Sequence, residues 1–203
     1  MGILTGAELH ILTKESIDDP MLCSNYFKKN KLTIVTLPPL YCKQLELPTM
    51  RYIITAGSAS DENLVNAVKS KGLYINAYGP TEDTVCTTYY LHDSLKTYNR
   101  IPIGRPLVNH QVYIMKDNQL CPIGMPGELR ICGFGVAEQY LNREELTENK
   151  FVNNPFGEGR MYCSGDLARW LPDGNIDFMG RIDKQVKIRG YRIELEEISN
   201  TLM

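Results

Sequence analysis

The residues best suited to chemistry stand in one short stretch, Asn76-Ala77-Tyr78-Gly79-Pro80-Thr81-Glu82. Gly72-Leu73-Tyr74-Ile75 in front of it reads as a short buried strand, and Gly79-Pro80 turns the chain where that strand ends. A hydroxyl, Thr81, and a carboxylate, Glu82, then stand side by side, with the apolar pair Val85-Cys86 close behind. Polar groups on a Gly turn at a strand end are where open α/β sheets place ligands. A hydroxyl beside a carboxylate suits a phosphate together with a hard cation, which takes oxygen ligands. An ordinary surface turn is the other reading of the same residues, and residue type alone does not choose between them.

A second candidate is Asp166, in Tyr162-Cys163-Ser164-Gly165-Asp166. The string reads as a strand that ends on a Gly turn carrying a carboxylate. Asp166 there is either a turn cap or an acceptor for the two hydroxyls of a ribose. A third is the basic stretch from Arg181 to Arg192, followed by the acidic Ile193-Glu194-Leu195-Glu196-Glu197-Ile198. By itself it reads as a solvated strand and the start of a helix.

The elements that must position these residues follow from the pattern. Met1 to Leu12 reads as a helix end, a Gly turn and a strand. Asp18-Asp19-Pro20 starts a helix, with Met21, Leu22, Tyr26 and Phe27 at helical spacing. Lys31 to Leu37 and Tyr52 to Ala56 are strands, and Ser60 is placed to cap a helix over Asp61 to Lys71. Strand–helix alternation of this kind implies a mostly parallel sheet flanked by helices. After Ile101-Pro102-Ile103-Gly104-Arg105-Pro106 the texture changes to short alternating segments punctuated by Gly and Pro, as in a small antiparallel barrel or sandwich. One helix, Glu144 to Phe151, interrupts it, and Asp173-Gly174-Asn175 is a hairpin turn. The fold class is α/β. Part of a parallel sheet takes residues 1–99, a small β-barrel-like subdomain takes 100–182, and the start of a C-terminal lid takes 183–203. A beginning on a helix end and a stop inside another helix read as a piece of something longer.

Composition excludes several classes. Of 203 residues, 43% are hydrophobic and 23% charged, as in ordinary globular chains. A net charge of −2 with no basic run gives no footprint for nucleic acid. The six cysteines include no Cys-x-x-Cys pair, so reduced thiols and a cytoplasmic setting are the expectation. Neither a signal peptide nor an apolar stretch long enough to span a membrane is present in the sequence.

The strings themselves carry a resemblance. Tyr-Gly-Pro-Thr-Glu at 78–82, with Asn76 and Ala77 in front, resembles the signature of adenylate-forming ligases, and specifically adenylation domains of nonribosomal peptide synthetases. Residues 162–166 resemble that family's Tyr-basic-Thr-Gly-Asp motif, with Cys163 and Ser164 in place of the basic residue and Thr. The longest match is the 19-residue run from Gly180 to Ile198. The resemblance implies a domain that activates an amino acid with ATP and Mg²⁺ as aminoacyl-AMP and passes it to a carrier-protein phosphopantetheine thiol. It implies that Asn76 meets the adenine edge, Tyr78 and Phe178 stack on the base, Asp166 holds the ribose and Arg181 lies near it. Thr81 would contact the α-phosphate, Glu82 would hold Mg²⁺, Asp183 would be the hinge of a rotating C-terminal part, and Lys187 would face the thiolation site. The substrate side chain would meet Thr36, Ile54, Ala56, Ala77, Val85 and Cys86, a combination that resembles phenylalanine-activating domains. The other reading of those six is as plain core.

The resemblance also implies parts outside this sequence: a phosphate loop with its Lys, a Phe-Asp segment for the substrate ammonium, and a catalytic Lys. The expectation is therefore an inactive isolated chain, or one completed by a second chain. A non-catalytic fragment that binds at most AMP, and an acyl-CoA or aryl-CoA ligase of the same superfamily, are the alternatives.

Overall fold

The computed structural model describes residues 3–183, 186–188 and 191–193. A 3-10 turn, Ile3–Thr5, opens the chain. The strand expected after the Gly turn, up to Leu12, does not form: no strand pairs with it among the described residues, and Leu9 and Ile11 lie exposed. Helix α1 spans Lys14–Asp18 and α2 spans Pro20–Lys29. The start of α2 follows from its residues. Asp19 accepts from the amides of Met21 and Leu22 at 2.8 and 3.2 Å, and Pro20 takes the first helical position, where an N–H is dispensable.

Strand β1 (Ile34–Leu37), helix α3 (Pro39–Cys42), strand β2 (Tyr52–Thr55), helix α4 (Glu62–Val68) and strand β3 (Leu73–Tyr78) come next, then β4 (Thr88–Leu91) and β5 (Arg105–Pro106). They form a five-stranded sheet in the order β1-β2-β3-β4-β5. The first three strands are parallel, and β4 and β5 return antiparallel. One face carries a core of Cys23, Phe27, Val35, Ile53, Leu64, Val65 and Tyr74. Ser60 does not cap α4. Asp61 does, accepting from Leu64 N–H at 2.9 Å, because a carboxylate one residue nearer takes the site; Ser60 instead donates to Asn76 at 3.2 Å.

The second sheet is antiparallel. It holds β6 (His110–Lys116), β7 (Gln119–Leu120), β8 (Gly127–Gly133), β9 (Phe151–Asn153), β10 (Arg160–Trp170) and β11 (Ile176–Arg181), in the order β11-β10-β8-β6-β7 with β9 on β10. Helix α5 (Glu144–Lys150) precedes β9, and Val112, Ile114, Leu129, Ile131, Phe151, Tyr162 and Ile176 fill the core. Strands β12 (Val186–Ile188) and β13 (Tyr191–Ile193) pair antiparallel. Ile193, the expected start of a helix, ends β13, and the rest of that helix lies outside the described residues.

Asp166 does not follow a strand end. Strand β10 runs straight through it, with a register shift against β8 between Cys163 and Asp166. Gly165, at φ +72°, takes a left-handed conformation that bulges the strand and turns Asp166 inward. The two sheets are bonded to each other where they meet. Ile103 N–H donates to the Ile176 carbonyl at 2.9 Å, Ile176 N–H donates to the Gly104 carbonyl at 2.8 Å, and the Tyr98 hydroxyl donates to Asp173 at 2.5 Å.

Candidate nucleotide and substrate site

The parallel strands β2 and β3 end side by side, Thr55 opposite Asn76. The loop Gly57-Ser58-Ala59-Ser60 leaves β2 there, and the β10–β11 pair of the second sheet faces it. Between them lies a cavity of about 390 Å³. Its lining brings together Asn76, Ala77, Tyr78, Asp166, Phe178 and Arg181, six of the residues singled out from sequence. Its position, outside the carboxyl ends of parallel strands, is where open sheets bind ligands.

Each wall has its own supports. The Asn76 amide is 3% exposed; its nitrogen donates to the Pro102 carbonyl at 2.8 Å and its oxygen accepts from Ser60. Asn76 therefore holds the two flanking loops in place and retains a single N–H for anything in the cavity. The Tyr78 and Phe178 rings stand 6.0 Å apart at 38°. The Tyr78 hydroxyl donates to Asp166 Oδ2, and Arg181 Nη1 donates to Asp166 Oδ1 at 3.0 Å and to the Ser164 carbonyl at 2.9 Å. Arg181 also grips Asp183, Nε to Oδ1 at 2.8 Å and Nη2 to Oδ2. Burial, with the Asp166 carboxylate beside it, pushes the Tyr78 phenol well above its ordinary value and keeps it protonated. Burial opposes the Arg181 charge, but Asp183 and Asp166 more than offset that and raise it.

Thr81 and Glu82 stand outside this cavity, on a 3-10 turn, Thr81–Asp83, that follows Gly79-Pro80. Thr81 is exposed, while Glu82 is 5% exposed and its Oε1 accepts from the Tyr140 hydroxyl at 2.6 Å. Beside it, burial pushes the Asp83 carboxyl up, with Thr87 and His110 working the other way.

The six side-chain pocket residues are not core: none is buried. Thr36 pairs with Ile54 and Ile54 with Ile75, so these three share the sheet face turned away from the core, and Ala77 is the next residue of β3 on that face. Ala56 follows the end of β2, its N–H on the Leu37 carbonyl at 3.3 Å. Val85 is 78% exposed at φ +74°, and the half-buried Cys86 thiol lies 3.3 Å from the Thr88 carbonyl, to which it donates. The Lys187 side chain lies outside the described residues. Among the described residues no group of three or more His, Cys, Asp or Glu could hold a metal, and no helix is long and apolar enough to cross a membrane.

Sequence reasoning passed over Asn99, Arg100, Ile101 and Ile103 in the cavity wall. It also missed Tyr140 behind Glu82 and His110 behind Asp83. The Pro/Gly-rich run at 101–106 was the one signal for the first group; the other two carry none.

A family described as AMP-binding enzyme matches residues 1–141. The chain belongs to this family. Within the AMP-binding family its relatives are nonribosomal peptide synthetases. Gramicidin S synthase 1 of Brevibacillus brevis is 49% identical over 208 residues, which cover 100% of this chain and 19% of the relative. Tyrocidine synthase 1 of Brevibacillus parabrevis is 51% identical over 209 residues, again 100% and 19%. The chain thus spans about a fifth of the length of these relatives. A solved four-domain nonribosomal peptide synthetase bound to AMP and glycine superposes with a TM-score of 0.82 at 34% identity, covering 97% of this chain and 15% of that one. A solved protein containing adenylation and PCP domains gives 0.80 at 26% identity, over 96% and 41%. The α/β sheet followed by a separate antiparallel sheet is the adenylation-domain fold.

Proposed function

We propose that this chain supplies the nucleotide cavity and part of the substrate pocket of an adenylation domain that activates phenylalanine as phenylalanyl-AMP, a mixed anhydride. Asp166 carries the reading. A carboxylate 6% exposed, turned by a bulge into a cavity lined by the Tyr78 ring of β3 and the Phe178 ring of β11, has the chemistry of a ribose and base site. The cavity volume is in the range of small-molecule sites. Tyr78 and Phe178 then flank the base, Asn76 offers its remaining N–H to the base edge, and Arg181 orients Asp166.

The substrate carboxylate and the α-phosphate that it attacks are both anionic. The chain therefore has to contribute position and charge neutralisation. On this reading Thr81 meets the α-phosphate and Glu82 holds Mg²⁺. The donor set fits that ion: Mg²⁺ takes one or two carboxylates and draws its other oxygens from phosphates and water, and Glu82 is a carboxylate on the turn beside the exposed Thr81. Bound there, Mg²⁺ would neutralise phosphate charge.

The same reading takes residues 1–99, 100–182 and 183–203 as three parts, with Asp183 as the hinge and Lys187 at the thiolation face. It takes a carrier-protein thiol as acceptor, supported by the solved relative that contains adenylation and PCP domains, and a cytoplasmic setting. Calorimetry with AMP tests its core. Asp166→Ala should weaken AMP binding at least about tenfold, the loss of charge-assisted hydrogen bonds. Equal affinities for the two proteins would remove Asp166 from the site.

A further inference from the structure

Asp83, the residue after Glu82, has no exposed surface. A buried carboxylate is costly unless it is paired and hydrogen-bonded. Thr87 Oγ1 donates to its Oδ2 at 2.6 Å. Its Oδ1 faces His110 Nε2 at 3.3 Å, and the His110 side chain is 14% exposed. The other edge of that ring, Nδ1, lies 3.2 Å from the Val108 carbonyl. A carbonyl only accepts, so Nδ1 carries hydrogen there and the ring is held from behind. Gly135 closes the third side: a Cβ at that position would come within 2.6 Å of both Asp83 Oδ1 and His110 Nε2. A side chain there would push the two groups apart.

The turn that Asp83 ends is fastened to the same loop on its outer side. Thr84 Oγ1 donates to the Gly135 carbonyl at 2.7 Å, and Ala137 N–H donates to the Glu82 carbonyl at 2.8 Å. It is also strained. Thr84 and Val85 are consecutive β-branched residues at φ +44° and +74°, a conformation that persists only where the surroundings over-determine it. The exposed Val85 side chain contributes little to holding it, so the restraint comes from these bonds and from the buried Asp83 side of the turn.

We propose that Asp83 and His110 are positioning residues: the buried pair clamps the strained turn at residues 81–85 to the start of β6 and so fixes the direction in which Thr81, Glu82, Val85 and Cys86 are presented. What the turn presents them to rests on the function proposed above. The clamp itself does not, since neither residue lines the nucleotide cavity.

The test reads the turn directly. The amides of Asp83, Cys86 and Thr87 donate to the carbonyls of Pro80, Thr84 and Tyr78, and Cys86 supplies a thiol to alkylate. Hydrogen exchange over residues 81–87 and the rate of Cys86 alkylation, both read by mass spectrometry, are compared in the wild type, His110→Ala and His110→Gln. His110→Ala should speed both by at least about tenfold, the scale of leaving a buried carboxylate oxygen without its facing partner, while β8 and β10 keep their protection. His110→Gln, whose amide can still donate to Asp83, should recover most of the loss. Unchanged exchange at 81–87, or acceleration spread evenly over the chain, overturns the clamp. Should His110→Ala fail to fold, Gly135→Ala parts the same two atoms from outside, and unchanged protection of the turn in that variant overturns it as well. A wild type that binds no AMP defeats the proposed function, while exchange at 81–87 still decides the clamp.

Discussion

The Tyr78 hydroxyl donates to the Asp166 carboxylate across 88 positions of sequence. Tyr78 is the last residue of β3 in the first sheet, and Asp166 sits at the bulge of β10 in the second. One bond therefore both closes the cavity and joins the sheets that form it. Arg181 holds the other oxygen of Asp166 and, through its remaining nitrogens, Asp183. The carboxylate proposed for the ribose and the residue proposed as hinge thus share one guanidinium.

Removing the hydroxyl alone isolates the first bond. Tyr78→Phe keeps the ring beside Phe178 and should lower stability by about 1.5–3 kcal/mol, the range for hydrogen bonds to charged groups. Urea unfolding should show a lower midpoint with the same slope. An unchanged midpoint would mean that the bond contributes nothing.

Gly165→Ala should act on the same network from the backbone. The residue is at φ +72°, and a Cβ there would come within 2.9 Å of Arg181 Nη2 and Asp183 Oδ2. Backbone strain costs about 1–3 kcal/mol, and the displaced Arg181 should in addition weaken AMP binding. A variant with wild-type stability and wild-type affinity would show that the bulge is not needed to aim Asp166.

The parts legible in the sequence were those whose cause is local. Asp19-Pro20 starts a helix because the cap and the ring act within one turn, and Asp173-Gly174-Asn175 makes its hairpin for the same reason. Asn76, Tyr78, Asp166, Phe178 and Arg181 were found as strings and meet in one cavity. What was misread depended on partners far along the chain. Gly165 looks like a turn until β8 and β11 are seen on either side of it, and the stretch ending at Leu12 looks like a strand until no partner is found among the described residues. The Asp83–His110 contact leaves no local trace, because the pair is defined only once β6 lies against the turn.

Asp173 gives a pH prediction. It accepts from the Tyr98 hydroxyl at 2.5 Å, from Asn175 Nδ2 at 2.8 Å and from Lys96 at 3.1 Å. Tyr98 first, then the Asn175 backbone and Lys96, hold its carboxyl well below the usual carboxylate range. A depressed folded value contributes stability that is complete above the unfolded carboxylate value, about 3.9, and drains away as pH falls below it. The wild type should therefore exceed Asp173→Asn in melting temperature by a constant margin from neutral pH down to roughly pH 5, and by a shrinking one below about pH 4. A margin independent of pH down to strongly acid solution would show that the charge of Asp173 is not what ties the hairpin to Tyr98.

The substrate side chain is the most exposed of these expectations to test. Thr36, Ile54 and Ala77 line up on the sheet face turned from the core, with two small or medium side chains leaving volume between them. Val85 and Cys86 stand on the turn that follows β3. No member of the set carries a charge, so an acidic or basic substrate would bury an unpaired group there, at roughly 1–3 kcal/mol or more. Alanine would leave a void, which also costs binding. A flat aromatic ring fills the slot, and the tyrosine hydroxyl would find only Thr36 or Cys86 to meet it. With this chain exchanged for the matching 209 residues of tyrocidine synthase 1, amino-acid-dependent ATP–pyrophosphate exchange can be run against all twenty amino acids. Phenylalanine should give the highest kcat/KM, and Thr36→Asp should cut it by at least about tenfold by burying a carboxylate against the ring. A charged or small amino acid at the top of that ranking, or indifference to Thr36→Asp, would move the pocket away from this face of the sheet.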